Sequence, residues 1–193
     1  MKKFLFEFTL IAGLLFLAWA PPGHSQNQVG AKIDVFKTLK VGQWVQLEGV
    51  PQKDLSVLAT EIKFLTGDFQ DDDWEVFGEV RAVYRERKEF QILGLKVKVD
   101  DKTGFETKET AGKFKSFNDL KAGMLVEIEG SYLKDGTFLA EEVQDETKGK
   151  AEEAGTVTLV GKVEKFDPNQ RKITVMGITF AITDKTQAKS KIK

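Results

Sequence analysis

Two-residue alternation of apolar and polar positions dominates the chain. From Trp74 to Tyr84 it runs around Val76, Gly78 and Val80, and from Lys88 to Leu93 through Phe90 and Ile92. Successive side chains of a strand point to opposite faces, so this period predicts strands with one buried face. Gly94 turns the chain into Leu95-Lys96-Val97-Lys98-Val99, a third half-buried strand. Met124 to Glu129 and Phe138 to Val143 follow the same rule. The segment joining them is Lys134-Asp135-Gly136-Thr137, in which Asp-Gly is a strong hairpin signal. Ser116-Phe117-Asn118-Asp119 has capping-box spacing and predicts one short helical turn before Lys121-Ala122-Gly123.

The pattern repeats. Gly78 to Thr103 aligns without a gap to Gly161 to Thr186, sharing Gly78/Gly161, Val80/Val163, Gly94/Gly177 and a closing Asp-Lys-Thr. Phe36 to Ile62 aligns likewise to Phe117 to Val143. Here Phe36/Phe117, Leu39/Leu120, Gly42/Gly123, Val45/Val126, Glu48/Glu129, Gly49/Gly130 and Glu61/Glu142 coincide. The order along the chain is therefore second half, first half, second half, first half.

Three strands, a short helix and two strands is the element order of an OB-fold barrel. The motifs V-x-G-x-V, L-K-x-G-x-x-V-x-x-E-G and D-G-x-x-x-A-E-x-V, with the small turn at Gly94, resemble a bacterial exported family, domain of unknown function 5666. Residues 74–145 resemble one complete unit and the flanking halves partial units. The resemblance implies an OB-like barrel and an envelope setting; it brings no activity and no functional residues with it.

Such a barrel closes by joining a first half to a second half, and an isolated half would expose long unpaired edges. The expectation is an all-β protein of two small five-stranded OB-like barrels. Residues 74–145 form the central one; 32–66 plus 157–187 form a split, permuted one around it. Two other pairings stay open: neighbouring halves (32–105 and 117–187), or terminal halves exchanged between chains. Residues 67–73 and 146–156 read as charged linkers, and 188–193 as a mobile basic tail.

Residues 1–25 read as a signal peptide. Lys2 and Lys3 precede the apolar run Phe8 to Ala20, which is shorter than the roughly 18 residues of a membrane span. Small-x-small spacing at Gly23-His24-Ser25 favours cleavage after Ser25 over Ala20, where Pro21 would follow. The expected location is periplasmic or secreted, with no stable transmembrane segment after cleavage. The chain has no Cys and one His, His24, so the mature body lacks the residues of common zinc sites, Ser-His-Asp triads and Cys-His pairs. No cofactor is expected. Net charge is -1; the first 25 residues contribute +1, leaving -2. That balance offers no basic excess for nucleic acid.

Candidate sites are few. Asp71-Asp72-Asp73 with Asp68 and Glu75 lacks the alternating spacing and turn glycine of a calcium loop and reads as a solvated linker, so no metal is expected. Arg85, Arg87 and Lys88 form a basic loop with Glu86, while Arg81, Lys96 and Lys98 occupy outward strand positions. Because OB folds bind chains on their middle strands and adjoining loops, a polyanion could lie there. Trp44 shares the outward face with Gln46 and Glu48; it would stack on a sugar or base, or pack on the other barrel. Glu48/Glu129 and Glu61/Glu142 recur, but Glu-Gly at a strand end reads as a turn feature before it reads as a glycosidase carboxylate. The resulting expectation is a non-enzymatic binding module for a protein, oligosaccharide or other extended ligand. The alternative is a structural protein that assembles through swapped half barrels or edge strands.

Overall fold

A computed structural model of the protein describes residues 33–107 and 114–192; the expected signal segment lies outside them. The described chain is all-β, with twelve strands in one mixed sheet. One helical turn, α1 (Val35–Thr38), precedes β1 (Trp44–Pro51) and β2 (Val57–Thr66). Then come β3 (Trp74–Tyr84), β4 (Glu89–Ile92), β5 (Leu95–Lys98) and β6 (Gly104–Thr107). They are followed by β7 (Leu125–Tyr132), β8 (Thr137–Asp145), β9 (Val157–Asp167), β10 (Lys172–Val175), β11 (Ile178–Ala181) and β12 (Gln187–Ile192). Among the described residues no helix is long and apolar enough to cross a membrane.

The pairings trace two rings. In the central one, β3 pairs β4, β4 pairs β5, β5 pairs β8 in parallel, β8 pairs β7, and β7 returns to β3. In the terminal one, β9 pairs β10, β10 pairs β11, β11 pairs β2 in parallel, β2 pairs β1, and β1 returns to β9. The registers agree as the repeat requires: Glu79 faces Leu125, and its counterpart Lys162 faces Trp44, the counterpart of Leu125.

The rings join where β3 pairs β9, through Glu75–Val160, Val76–Leu159 and Phe77–Thr158. Val76 and Leu159 are counterparts in the repeat, so the junction has the self-complementary form of a two-fold interface within one chain. Across it the row Leu47–Leu159–Val76–Ile128 is fully buried, each residue at 0% exposure. The start of each long strand also reaches the neighbouring ring. Trp74 lies against Gly161, and Val157 against Gly78. The missing Cβ at the recurring glycines makes room for these side chains.

Several details differ from the sequence expectation. Glu48-Gly49 and Glu129-Gly130 are not strand-end turns; each marks a β-bulge within a strand. At Gly49 a Cβ would lie 2.6 Å from Val57 Cγ1, and at Gly130 2.9 Å from the Glu141 amide nitrogen. Only glycine admits that approach. A further strand, β6, runs parallel to β8 after the third strand of the central unit. The segment expected as a mobile basic tail is its counterpart: β12 runs parallel to β2 over Gln187–Ile192, and Lys189 bonds Glu61. The ladder of backbone hydrogen bonds there outweighs the polar composition that suggested a tail. The expected helical turn is present at Phe117–Asp119, where the Ser116 amide and hydroxyl each donate to Asp119 Oδ2 at 3.0 Å.

Candidate functional site

The sequence singled out Trp44 and six basic residues. Trp44 starts β1 half-buried, its ring 5.2 Å from Phe69 and 4.9 Å from Trp74; Trp74 in turn lies 5.5 Å from Tyr132. Lys162 Nζ sits 5.2 Å over Trp44 and pairs with Asp71 at 2.7 Å. The Trp44 ring is thus partly covered by the linker phenylalanine and the first residue of β3.

Of the basic residues, Arg85 does mechanical work. Its guanidinium donates to the carbonyls of Phe117 and Leu120 and lies 5.2 Å over the Phe117 ring, clamping the short helical turn onto the β3–β4 loop. Arg87 bonds Glu89 at 3.1 Å and covers Tyr84. Lys88, in left-handed conformation at φ 50°, pairs with Asp101 at 2.6 Å. Arg81 pairs with Glu79 at 3.3 Å. Lys96 and Lys98 point outward on β5, across from Gln91 and Glu89 of β4. Of these six, Arg85, Lys96 and Lys98 make no ion pair with the described residues, and the face that Lys96 and Lys98 share with Glu89 carries both signs.

The recurring carboxylates flank the bulges. Glu48 faces Glu61 and Glu129 faces Glu142 across adjacent strands. Burial pushes the Glu61 carboxyl up, but hydrogen bonds from Lys189 and Lys63 outweigh it and hold the group ionised. Further along this outer surface, Gln46, Glu48, Glu75, Phe77, Glu127 and Glu153 line a recess of about 420 Å³, with Lys150 bonded to Glu127 at 2.7 Å. Burial raises the Glu75 pKa, and the nearby Glu129 and Glu127 raise it further.

A concave site of about 590 Å³ lies between the rings. Two hairpin ends and two tight turns build it. Asp54, Leu55 and Ser56 come from the β1–β2 connection, Tyr132 and Gly136 from the β7–β8 hairpin, and Gly94 and Gly177 from the turns after β4 and β10. Asp54 Oδ1 accepts from the Ser56 amide at 3.1 Å and its hydroxyl at 2.6 Å, an Asx turn that lowers the Asp54 pKa. Leu55 is held at φ 64° with 59% of its surface exposed, an uncommon state for a branched apolar residue. The turn residues Leu93 and Met176 are also left-handed, at φ 52° and 51°, but both are buried, which offsets the strain.

Leu55 Cδ1 lies 3.9 Å from the Cβ position of Gly94, in the other ring. The Tyr132 hydroxyl lies 3.7 Å and 3.5 Å from those of Gly136 and Gly177. Leu55 is the counterpart of Gly136, and Gly94 of Gly177, but here the two glycines leave a gap into which the Tyr132 hydroxyl reaches. Burial raises the Tyr132 pKa, with Glu164 and Asp135 adding to it, so the phenol stays protonated. None of these cleft residues stood out in the sequence as a site; Gly94 and Gly136 were read only as turns, and Gly177 as the repeat match of Gly94. One available signal was Asp54-Leu55-Ser56 standing where the other repeat has Asp135-Gly136-Thr137: a leucine at a position suited to glycine.

The fold and its internal registers define a class: an all-β protein with two interleaved copies of one strand unit. The family model described as Domain of unknown function (DUF5666) matches residues 25–63 and 77–144, more than half of the chain, and the protein belongs to that family. Among curated proteins and among solved structures, none matches the chain.

Proposed function

We propose that the protein is an exported, non-enzymatic binding module made of two OB-like barrels, 74–145 and 32–66 with 157–187, that recognises an extended ligand in the cell envelope. The closed circuits of strand pairing and the parallel β5–β8 and β11–β2 contacts support the barrel reading. The short apolar run behind Lys2 and Lys3 supports export. The observation that carries the binding role is the cleft between the rings, whose roughly 590 Å³ falls within the usual range of ligand sites. Its walls mix apolar side chains with polar groups held on tight turns.

The test is an amide chemical-shift titration with neutral hexasaccharides, a sulfated polysaccharide and an extended peptide. A saturable response at Leu55, Gly94, Tyr132 and Met176 is expected with one of them. Absence of any saturable response, or one confined to Lys96 and Lys98, would overturn the assignment of the cleft.

A second reading is assembly. Among the described residues, β6 and β12 each pair with one neighbour, leaving an open strand edge apiece. Concentration-dependent sedimentation would favour this reading, and a strict monomer would remove it.

A further inference from the structure

We infer that the ligand class of the inter-ring cleft is a neutral, hydroxyl-rich chain, an uncharged oligosaccharide; this rests on the reading of that cleft as the binding surface. The first argument is charge. The charged lining consists of Asp54 and Lys172, one of each sign, and each acts on the other electrostatically. A polyanion would gain little there, and a polycation would be drawn instead to the recess lined by Asp72, Asp73, Glu129, Glu141 and Glu142.

The second argument is hydrogen bonding. Among the described residues, the Tyr132 hydroxyl, the Thr179 hydroxyl and the Lys172 ammonium have no hydrogen-bond partner, and Asp54 uses Oδ1 alone toward Ser56. A purely apolar ligand would cover these groups and leave them unpaired, which opposes its binding. A sugar chain supplies donors and acceptors to all four. Its C–H faces would lie on the complementary surface of Leu55, Met176, Ile178 and the bare Cα atoms of Gly94, Gly136 and Gly177.

The third argument separates a sugar from a peptide. Peptides bind sheets by adding a strand to an open edge. β5 and β11, which border the cleft, are paired along most of their length, β5 with β4 and β8 and β11 with β10 and β2, and the parallel pairings leave only Leu95 and Ile178-Thr179 open on that side. An extended peptide would find no continuous ladder there.

The experiment titrates the full chain with cellohexaose, maltohexaose and chitohexaose, and in parallel with a heparin hexasaccharide and an alternating Val-Thr peptide. Tryptophan fluorescence is the readout, because the Trp74 ring lies 5.5 Å from that of Tyr132. A neutral hexasaccharide should bind saturably, with affinity unchanged between low and high salt. Gly94→Leu fills the cleft where a Cβ meets only Leu55 Cδ1, so it should abolish binding while leaving the melting curve intact. Tyr132→Phe should weaken binding about fivefold, the worth of one hydrogen bond. Leu55→Ser is the independent check should Gly94→Leu alter folding, and should weaken binding as well. Salt-dependent binding, or binding indifferent to Gly94→Leu and Leu55→Ser, overturns the inference. If heparin or the peptide binds in the cleft and the neutral sugars do not, the sugar assignment falls and the cleft remains a binding surface. If nothing binds, both fall.

Discussion

The contact between Trp74 and Gly161 gives the sharpest test of how the two rings are held together. Adding a methyl at Gly161 would place its Cβ 2.6 Å from Trp74 Cε3 and Cζ3 and 3.0 Å from Val175 Cγ1. Carbon atoms at rest sit about 3.5–4.0 Å apart, so the indole would have to retreat by about an ångström. It has little room. Trp74 is 7% exposed and packed against Trp44 at 4.9 Å and Tyr132 at 5.5 Å. Overpacking of this kind costs about 1–3 kcal/mol. In a chain of this size each kcal/mol lowers the melting temperature by roughly 2–4 °C. Gly161→Ala should therefore show a clear loss in thermal and urea unfolding followed by far-UV circular dichroism. A second arm isolates the cause. Trp74→Leu is destabilising by itself, at about the 3 kcal/mol typical of truncating a buried indole. In that background Gly161→Ala should lose most of its penalty, a coupling of about 1 kcal/mol or more. A Gly161→Ala protein as stable as the parent would refute the reasoning, as would a double variant whose losses simply add.

Three further outcomes follow from the same geometry. Arg85→Ala should lower stability by about 1–2 kcal/mol because two carbonyls lose a charged donor, while Arg87→Ala, which breaks an exposed pair with Glu89, should stay within about 0.5 kcal/mol; equal effects in urea unfolding would contradict the clamp. Gly130→Ala should destabilise by at least about 1 kcal/mol through the close approach at the bulge, and Gly123→Ala, whose Cβ would meet nothing, should lose only the smaller backbone strain of its φ of 87°. The third outcome concerns pH. The folded Glu75 pKa is raised, first by burial and then by Glu129 and Glu127, so its contribution to stability is full below the ordinary glutamate value of about 4.3 and lost as pH rises through the folded value. Glu75→Gln should thus gain about 0.5–1 kcal/mol at pH 7, the scale of a cross-strand like-charge contact, and the gain should vanish near pH 4; a gain independent of pH would show that charge is not its source.

Much of this architecture was legible because its signals are local. Alternation gave the strands, Asp135-Gly136 the hairpin, and Ser116 with Asp119 the helical turn. The repeat itself was visible as shared identities, yet the reasons for two of them were not. Gly49 and Gly130 recur because a backbone passes too close for a side chain, and Gly78 and Gly161 because a residue from the other ring lies on them. Both reasons involve atoms distant in sequence. The Trp44 environment was hidden for the same reason: parity placed it outward correctly, but nothing local indicated that Phe69 and Trp74 would cover it. Composition misled at the C-terminus, where Lys189 and Lys191 suggested a tail although the backbone completes a parallel ladder on β2.

The junction between the rings did leave a trace that alternation alone passes over. Val76-Phe77 and Leu159-Val160 each set two apolar residues side by side in the first half of their strands, where the neighbouring positions alternate. A strand exposed on one face has no use for such a pair; a strand covered on both faces does. Phe77 and Val160 are 4% and 5% exposed, and they stand on the outer surface at the one place where β3 and β9 lie together. Lys150, 4.8 Å from the Phe77 ring, covers part of that surface. The same two-fold relation that makes Val76 face Leu159 makes Phe77 and Val160 counterparts. A doubled apolar step at matching positions of both repeats is therefore the sequence mark of their mutual packing. It also sets where a ligand site can form. Two rings fixed edge to edge along β3 and β9 bring their turns at Gly94 and Gly177 and their hairpin ends at Leu55 and Gly136 to a common cleft, which neither ring possesses alone.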